Sequence, residues 1–226
     1  MTDSAPTPAA FPDDTLAAAL ARHHFDIPAK QVKKLNSYCH LLWEWNEKIN
    51  LTRHTDFEKF VTRDVLDSWQ LAQLLHANED VLDVGTGGGV PGVLVAILRP
   101  DVKVQLCDSV GKKIKVVDDI VKKLDLDVPV HHVRAEELLQ ETRFTTVIAR
   151  AVGSICKMCE WFQPHWPMIG RLLMVKGPSW LEERGEARHR GFLRDLELRQ
   201  AASYPMPGTE SESVILKIWP KGGVER

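Results

Sequence analysis

The feature that most constrains this chain is a glycine cluster between a short apolar run and a helical pattern. The run Val81–Val84 enters the cluster, and the helical pattern begins near Gly92. The cluster itself consists of Gly85, Gly87, Gly88 and Gly89. Glycine permits positive φ and close approach of a ligand to the backbone, so this order predicts a nucleotide-binding loop at the carboxyl edge of an open sheet. The spacing Gly87-x-Gly89-x-x-Gly92 also matches the dinucleotide pattern, so glycine spacing alone does not identify the ligand.

Short β-branched runs alternate with helical patterns after residue 78. Strands are expected near residues 81–84, 102–106, 128–130, 145–148, 172–175 and 214–218. Helices are expected near 92–98, 111–124 and 154–163, with a charged surface helix over 179–200 that is interrupted at Gly185 and Gly191. The alternation predicts an α/β fold with a mostly parallel, Rossmann-like sheet covered by helices on both faces.

The 226 residues suit one large domain, or one domain with a small appendage. Residues 1–12 contain three prolines among small residues and are expected to form a flexible tail. Residues 13–78 carry apolar positions at helical spacing and are expected to form a helical N-terminal extension. Residues 79–220 then form the α/β core.

Charge and composition exclude several classes of protein. The 29 basic and 31 acidic side chains give a net charge of −2, so the chain does not coat nucleic acid by bulk charge, although a local basic face remains possible. No apolar run reaches the roughly 18 residues that span a bilayer, and the N-terminus lacks a signal-peptide pattern. We therefore expect a soluble cytoplasmic protein with four reduced cysteines. Cys156 and Cys159 have metal-ligand spacing but no second such pair, so no metal site is expected.

Two acidic residues bear on the choice of ligand. Asp83 ends the strand just before the glycine loop, where the two negative charges of a pyrophosphate would be repelled. A cationic ligand such as S-adenosylmethionine reverses the sign of this interaction. Asp108, with Ser109 beside it, ends the next strand and is placed to accept the hydroxyls of a ribose. NAD also has a ribose, so Asp108 indicates an adenosine-type ligand without choosing one, and a solvated turn aspartate with Ser109 capping a helix is the alternative.

Three further positions lie at the same predicted edge. Ala135 and Glu136 follow the third strand, where an adenine ring would lie, unless they only begin a surface helix. Arg150 ends the fourth strand and is a candidate contact for substrate or phosphate, with a structural salt bridge as the alternative. Lys176 ends the fifth strand, and both interpretations apply equally to it.

Six motifs occur in order along the chain: Trp45-Asn46-Glu-Lys-Ile-Asn50-Leu51-Thr52, Asp83-Val-Gly85-Thr-Gly-Gly-Gly-Val90-Pro91-Gly92, Asp108-Ser109-x-x-Lys112-Lys113, Arg134-Ala-Glu136-Glu137, Ala149-Arg150-Ala151 and Lys176-Gly177. Together they resemble the RsmG (GidB) family of bacterial ribosomal RNA methyltransferases. The resemblance covers roughly residues 30–220. It implies a class I methyltransferase fold, S-adenosylmethionine as methyl donor, and methylation at N7 of a guanine near the decoding site, guanine 527 of 16S ribosomal RNA. The implied partner is 16S ribosomal RNA or the small ribosomal subunit, and a monomer is expected.

The resemblance also implies roles for individual residues. Gly85, Gly87 and Val90 would line the methionine and ribose part of the site, Ala135 and Glu136 would flank the adenine, and Arg150 would lie near cofactor or substrate. Two positions depart from the family pattern. Asp64 stands where the family usually has histidine, and Glu210 and Glu212 stand where it tends to have a basic pair. Both changes remove positive charge, which bears on RNA binding more than on cofactor binding.

The implied chemistry needs no general base, since guanine N7 already has a lone pair in the plane of the ring. Arg150 and Lys176 are the candidates for holding the guanine or its phosphate by position alone, and Arg63 and Arg53 are weaker ones. A basic stretch of Lys112, Lys113, Lys115, Lys122 and Lys123 is either an RNA contact or a solvated helix face. Two other functions stay open: a nicotinamide-dependent oxidoreductase, and a ribosome-associated binding protein without turnover.

Overall fold

The computed structural model describes residues 14–223, and its centre is one seven-stranded sheet. The strands are β1 (Asp80–Val84), β2 (Lys103–Cys107), β3 (Val130–His131), β4 (Phe144–Arg150), β5 (Ile169–Lys176), β6 (Leu196–Pro205) and β7 (Glu212–Pro220). Their order is β3-β2-β1-β4-β5-β7-β6. The first five run parallel, and β7 pairs antiparallel with both β5 and β6. The predicted Rossmann-like, mostly parallel sheet is confirmed.

Nine α-helices are described around this sheet. They are α1 (Leu16–Arg22), α2 (Ala29–Asn46), α3 (Phe57–Lys59), α4 (Leu66–Gln73), α5 (Gly92–Leu98), α6 (Gly111–Lys123), α7 (Ala135–Glu141), α8 (Ile155–Phe162) and α9 (Trp180–His189). A π-helical segment, Phe60–Val65, joins α3 to α4, and a 3-10 segment, Gln163–Met168, follows α8. One buried cluster joins α1, α2 and α4–α6 to one face of the sheet, and a second joins α7–α9 to the other.

The helical extension packs on the same core as the sheet. Leu35 and Leu42 of α2 are buried in one cluster with Val95 of α5 and Ile148 of β4. Thr15 caps α1 by accepting a hydrogen bond from the backbone N–H of Ala18, which fixes where that helix begins. The predicted tail of residues 1–12 lies outside the described residues. Among those that are described, no helix is long and apolar enough to cross a membrane.

The predicted helix over residues 179–200 is wrong in its second half. Helix α9 continues through Gly185 and ends at His189, and Gly191 then adopts φ +80. Residues from Leu196 onward form β6 instead, an edge strand whose side chains are largely exposed. Its backbone pairs with β7 across the whole strand, with a register shift between Gln200 and Ala202. Pairing with β7, rather than any local apolar pattern, therefore determines this strand.

A buried ion pair ties the sheet to the extension near the amino ends of the parallel strands. Arg171 of β5 donates to Glu79, with Nη2 2.9 Å from Oε1, and to the backbone carbonyl of Leu74 after α4. Its Nε also donates to the hydroxyl of Thr146 on β4, which in turn donates to Glu79. Burial makes such a pair costly to break, because one partner left alone is an uncompensated charge.

We therefore predict that Glu79→Ala lowers the free energy of unfolding by about 3 kcal/mol, measured by urea denaturation. The matched control is Asp118→Ala, which breaks an exposed ion pair with Lys122 and is expected to change stability by less than about 0.5 kcal/mol. Equal losses in the two variants would contradict the role given to the buried pair.

Candidate methyl-donor and base-binding site

The candidate site lies at the carboxyl edge of the sheet, in the crevice between β1 and β4. Strand order reverses there, since β2 and β3 continue on one side of β1 while β4 and β5 continue on the other. Open α/β sheets bind ligands at this position. The glycine loop after β1 and the ends of β2 and β4 meet at this edge.

The glycine loop has a backbone that other residues would not adopt readily. Gly85, Gly87 and Gly89 have φ of +67, +60 and +103. A Cβ on Gly85 would lie 2.8 Å from Val152 Cγ2, so the loop after β4 packs directly against it. By contrast, a Cβ on Gly87 would meet only a backbone oxygen at 3.8 Å. The loop therefore has space beside Gly87, while at Gly85 it is packed against Val152.

A cavity of about 110 Å3 opens beside this loop. Its lining comprises Val84, Gly85, Cys107, Asp108, Ser109, Val133, Arg134, Ala135, Glu136, Val152, Trp161 and Phe162. Five of the residues that the sequence predicts for cofactor binding are in this set, whereas Asp83, Gly87, Val90 and Arg150 are not. A larger cavity of about 480 Å3, beside Arg143 and Trp219, lies at the opposite edge of the sheet, away from the glycine loop.

Asp108 at the end of β2 faces the glycine loop. One carboxylate oxygen accepts a hydrogen bond from the backbone N–H of Gly87 at 3.0 Å, and the other accepts one from Val110 at 2.8 Å. Helix α6 begins after Val110, and the Ser109 side chain does not cap it. Asp108 thus joins the loop after β1 to the start of α6, and its carboxylate borders the cavity.

Asp83 lies beneath the loop rather than on the cavity wall. Its side chain is fully buried, and Oδ2 accepts a hydrogen bond from the N–H of Gly92 at 2.9 Å. Among residues 14–223 its Oδ1 has no partner at hydrogen-bonding geometry, although the buried hydroxyl of Thr86 is near enough to lower the pKa of this carboxyl against the effect of burial. Burial raises the pKa of Asp83 to about 6. A carboxylate with one unsatisfied oxygen at this depth favours a cation close by.

Arg150, at the end of β4, is held by two carboxylates from the helical extension. Its Nη1 donates to Asp67 Oδ2 at 2.9 Å, and its Nη2 donates to Asp64 Oδ1. Both aspartate side chains are buried, at 9% and 4% exposure, while that of Arg150 is 22% exposed. The hydroxyl of Tyr204 on β6 donates to the other oxygen of Asp67 at 2.8 Å. Burial opposes the charge of Arg150, but Asp64 and Asp67 hold the pKa of its guanidinium above the ordinary value.

Asp64 thus has a structural partner at the position where the sequence departs from the family pattern. It lies in the π-helical segment, which leads directly into α4 and Asp67. Its carboxylate is buried against Arg150, so this acid does not add negative charge to the outer surface.

Comparisons with known proteins agree with this geometry. A family model described as rRNA small subunit methyltransferase G (GidB) matches residues 31–206. The chain belongs to this family. A protein of Rhodopirellula baltica named ribosomal RNA small subunit methyltransferase G is 50% identical over 200 residues, which is 88% of this chain and 87% of that protein. One of the same name from Clostridium novyi is 34% identical over 177 residues, 75% of this chain and 73% of that protein.

Solved structures support the methyltransferase G family's fold. TrmK of M. capricolum, solved with S-adenosyl-homocysteine, has a TM-score of 0.55 and 14% identity, covering 69% of this chain and 68% of that chain. A Precorrin-6y C5,15-methyltransferase from Geobacter metallireducens has a TM-score of 0.51 and 14% identity, covering 77% and 95%. At such low identity these likenesses show the class I methyltransferase fold and nothing finer.

The other predicted substrate contact of this methyltransferase G family member, Lys176, is paired. Its Nζ is 2.7 Å from Glu183 of α9 and donates to the backbone carbonyl of Gly153 at 3.1 Å. Glu183 also accepts a hydrogen bond from the N–H of Ile155. Lys176 therefore fixes the loop between β4 and α8, in which Ala151 has a φ of +56. A role in holding substrate stays a prediction.

The predicted basic residues differ in their surroundings. Lys122 and Lys123 pair with acidic residues one turn earlier on α6, Asp118 and Asp119. Lys112, Lys113 and Lys115 are on the first turns of the same helix and form no ion pair with any residue between 14 and 223. Arg53 and Arg63 are exposed on the extension. No group of three or more potential metal ligands is gathered within the described part of the chain.

Sequence reasoning missed four aromatic residues at this site. Tyr38 of α2 donates its hydroxyl to the carbonyl of Gly88 in the loop at 2.8 Å, and Trp161 and Phe162 of α8 line the cavity. Tyr204 was missed with its strand. Only Trp161 and Phe162 carried a usable signal, because they end a predicted helix on the covering face. The partners of the two tyrosines are 50 and 137 residues away in sequence.

The pKa of Asp83 generates a prediction about pH and stability. In the folded protein the Asp83 carboxyl group has a pKa of about 6, whereas in the unfolded chain it has the ordinary pKa of 3.8. The unfolded chain binds fewer protons between those values, so the free energy of unfolding falls as pH rises through this window. Asp83→Asn keeps an acceptor for Gly92 without the ionisation. Its stability relative to the native chain is expected to grow by about 3 kcal/mol between about pH 4 and pH 7.

Denaturant unfolding at several pH values measures this difference. Asp118→Asn, at an exposed position on α6, serves as the control for the loss of one surface carboxylate. A stability difference between Asp83→Asn and the native chain that stays constant with pH would show that Asp83 ionises normally.

Proposed function

We propose that this protein transfers a methyl group from S-adenosylmethionine to N7 of one guanine in 16S ribosomal RNA, guanine 527 by family resemblance. Membership of the methyltransferase G family and the class I fold support the reaction class. The position on the base and the in-line mechanism are our own inference.

The observation that carries the choice of methyl donor is the charge at the carboxyl edge. Asp64, Asp67 and Asp83 are buried there, and Arg150 forms ion pairs with the first two. With Asp83 ionised, these four groups carry three negative charges and one positive, a formal −2, and Asp108 is a further buried carboxyl group at the same edge. The charge of Arg150 lowers the pKa of Asp83 against the larger effect of burial, so the four groups form one electrostatic unit. The methionine end of S-adenosylmethionine carries an ammonium and a sulfonium. A pyrophosphate, as in NAD, would add repulsion.

The residues present suit this donor. Asp108 borders the cavity and is our candidate for the ribose hydroxyls, with Ser109 beside it. Ala135 and Glu136 would flank the adenine, because they line the same cavity at the start of α7. Gly85, Gly87 and Val90 would accept the methionine part along the loop, and the unsatisfied oxygen of Asp83 favours its cationic groups from below.

The proposed transfer requires orientation rather than proton movement. S-adenosylmethionine, when bound, supplies an electrophilic methyl group on sulfur. The N7–methyl bond forms as the sulfur–methyl bond breaks, the positive charge moves from sulfur to the guanine ring, and no proton leaves. The chain therefore needs no general base, and Arg150 and Lys176 act by holding the base in line with the methyl group. The apolar side chains of Val152, Trp161 and Phe162 line the cavity and would exclude water from it.

The proposed partner is 16S ribosomal RNA, free or within the small subunit, and we propose that the protein acts on it in the cytoplasm and as a monomer. Lys112, Lys113 and Lys115 are the candidates for phosphate contact, since α6 begins next to the cavity residue Ser109. A target in a loop of the RNA would leave the base unstacked and accessible.

We predict that Asp108→Ala weakens S-adenosylmethionine binding about tenfold, or about 1.4 kcal/mol, because a charged hydrogen-bond acceptor is lost. Isothermal titration calorimetry measures this affinity. Asp118→Ala, on the outer face of α6, should bind as the native chain does. Unchanged affinity in Asp108→Ala would mean that the ribose lies elsewhere.

The proposed function is tested by incubating the protein with methyl-labelled S-adenosylmethionine and small ribosomal subunits from a strain that lacks this modification. Labelled 7-methylguanine at one position is the expected product. Label on another base or atom would overturn the proposed position. Binding of S-adenosylmethionine without any label on subunits or on free 16S RNA would indicate a binding protein without turnover, and tight NADH binding instead would indicate an oxidoreductase.

A further inference from the structure

The guanidinium of Arg150 is fixed on one side and open on the other. Nη1 donates to Asp67 and approaches the backbone carbonyl of Arg63 at 3.5 Å, and Nη2 donates to Asp64. Nε–H and the second Nη2 hydrogen have no hydrogen-bond partner among residues 14–223. The side chain is 22% exposed, so part of it reaches solvent beside its two buried partners.

We propose that Arg150 selects guanine at the target position by donating to its O6 atom, and that Asp64, Asp67 and Tyr204 are positioning residues that hold it there. This proposal rests on the proposed function, and it deepens that function by naming what distinguishes guanine from adenine. Both purines have an N7 lone pair, so reactivity alone does not separate them. They differ at position 6, where guanine has an acceptor and adenine has a donor.

The location of Arg150 suits this role. It is the last residue of β4, two positions after Ile148, which is in register with Asp83 of β1. Strand β1 leads directly into the glycine loop, so the end of β4 that carries Arg150 lies at the same carboxyl edge as that loop. O6 and N7 lie on the same edge of guanine, so a hydrogen bond from Arg150 to O6 also positions N7 at the carboxyl edge of the sheet.

The carboxylates of Asp64 and Asp67 also offset the repulsion that Arg150 would exert on a positively charged product. Methylation at N7 moves positive charge onto the guanine, which a bare arginine nearby would oppose. Asp64 and Asp67 together outweigh the guanidinium, leaving a formal −1 on the three groups. The arginine can therefore act as a hydrogen-bond donor without repelling the charged product.

Tyr204 extends this arrangement to the C-terminal hairpin β6–β7. Asp67 accepts from Arg150 on one oxygen and from Tyr204 on the other, so neither oxygen is free to rotate away. The ring of Tyr204 is buried at 5% exposure. Loss of this hydroxyl would leave one oxygen of Asp67 without its partner and loosen the orientation of Arg150.

The test combines substitutions in the protein with substitution of the target base in the RNA, as in a double-mutant cycle. Small subunits are reconstituted with guanine or with 2-aminopurine at the target position; the latter retains N7 and the 2-amino group but lacks O6. Native protein, Arg150→Lys and Tyr204→Phe are compared by kcat/KM for labelled methyl transfer. Arg150→Lys keeps the buried charge but loses the planar fork. Thr146→Val is the matched control, because it also removes a buried hydroxyl but at the other edge of the sheet.

Native protein is expected to prefer guanine by about a hundredfold, and Arg150→Lys and Tyr204→Phe to reduce this preference about tenfold. Thr146→Val should keep the full preference whatever its stability, which thermal unfolding records for each variant. A preference that survives in both site variants would overturn the proposal, as would native protein that methylates the two substrates equally. No transfer by native protein to guanine-containing subunits would instead refute the proposed function.

Discussion

The buried strand β4 ends in the positive charge of Arg150, which is stabilised by carboxylates from another part of the chain. The packing of the helical extension and of the C-terminal hairpin around the site depends on this interaction. Arg150 ends β4, and its partners Asp64 and Asp67 come from the helical extension more than 80 residues earlier. Tyr204, from the C-terminal hairpin, fixes Asp67 in turn. Because removing one member of a buried ion pair leaves an uncompensated charge, the extension and the hairpin are held to the core at the same place. The site therefore depends on three separate parts of the chain.

The glycine loop lies over Asp83, whose carboxyl group is fully buried, and burial disfavours its ionised form. Its carboxylate accepts the N–H of Gly92, and a Cβ on Gly92 would lie 2.5 Å from that same carboxylate and 2.3 Å from Leu106. Glycine is required there by space, whereas at Gly85 and Gly89 it also suits a positive φ. Tyr38 then fixes the loop from above through Gly88. The loop thus combines a rigid base with an open upper edge at Gly87.

The sequence predicted the local features and missed the distant ones. The strand–glycine–helix order and the alternation after residue 78 are determined by short-range patterns, so the class I fold and five cavity residues could be predicted. Strand β6 could not, because its alternation of apolar and polar residues stops after Leu196 and Leu198, the rest of the strand is largely exposed, and its register comes from β7. The ion pair of Arg150 could not either, since no local spacing connects it with Asp64. Asp64, the acid that stands where the family usually has histidine, suggested weaker RNA binding from the sequence alone. In the structure it is buried and forms an ion pair with Arg150.

Charge around the site is divided between its two sides, which bears on how RNA approaches. Val214 pairs with Lys176, so Glu210 in the hairpin turn and Glu212 at the start of β7 lie at the same carboxyl edge as the site. Lys112, Lys113 and Lys115 lie across the crevice on α6. Under the proposed function, RNA phosphates would be attracted by the lysines and repelled by the glutamates, so the charge distribution would favour an approach of RNA from the side of α6.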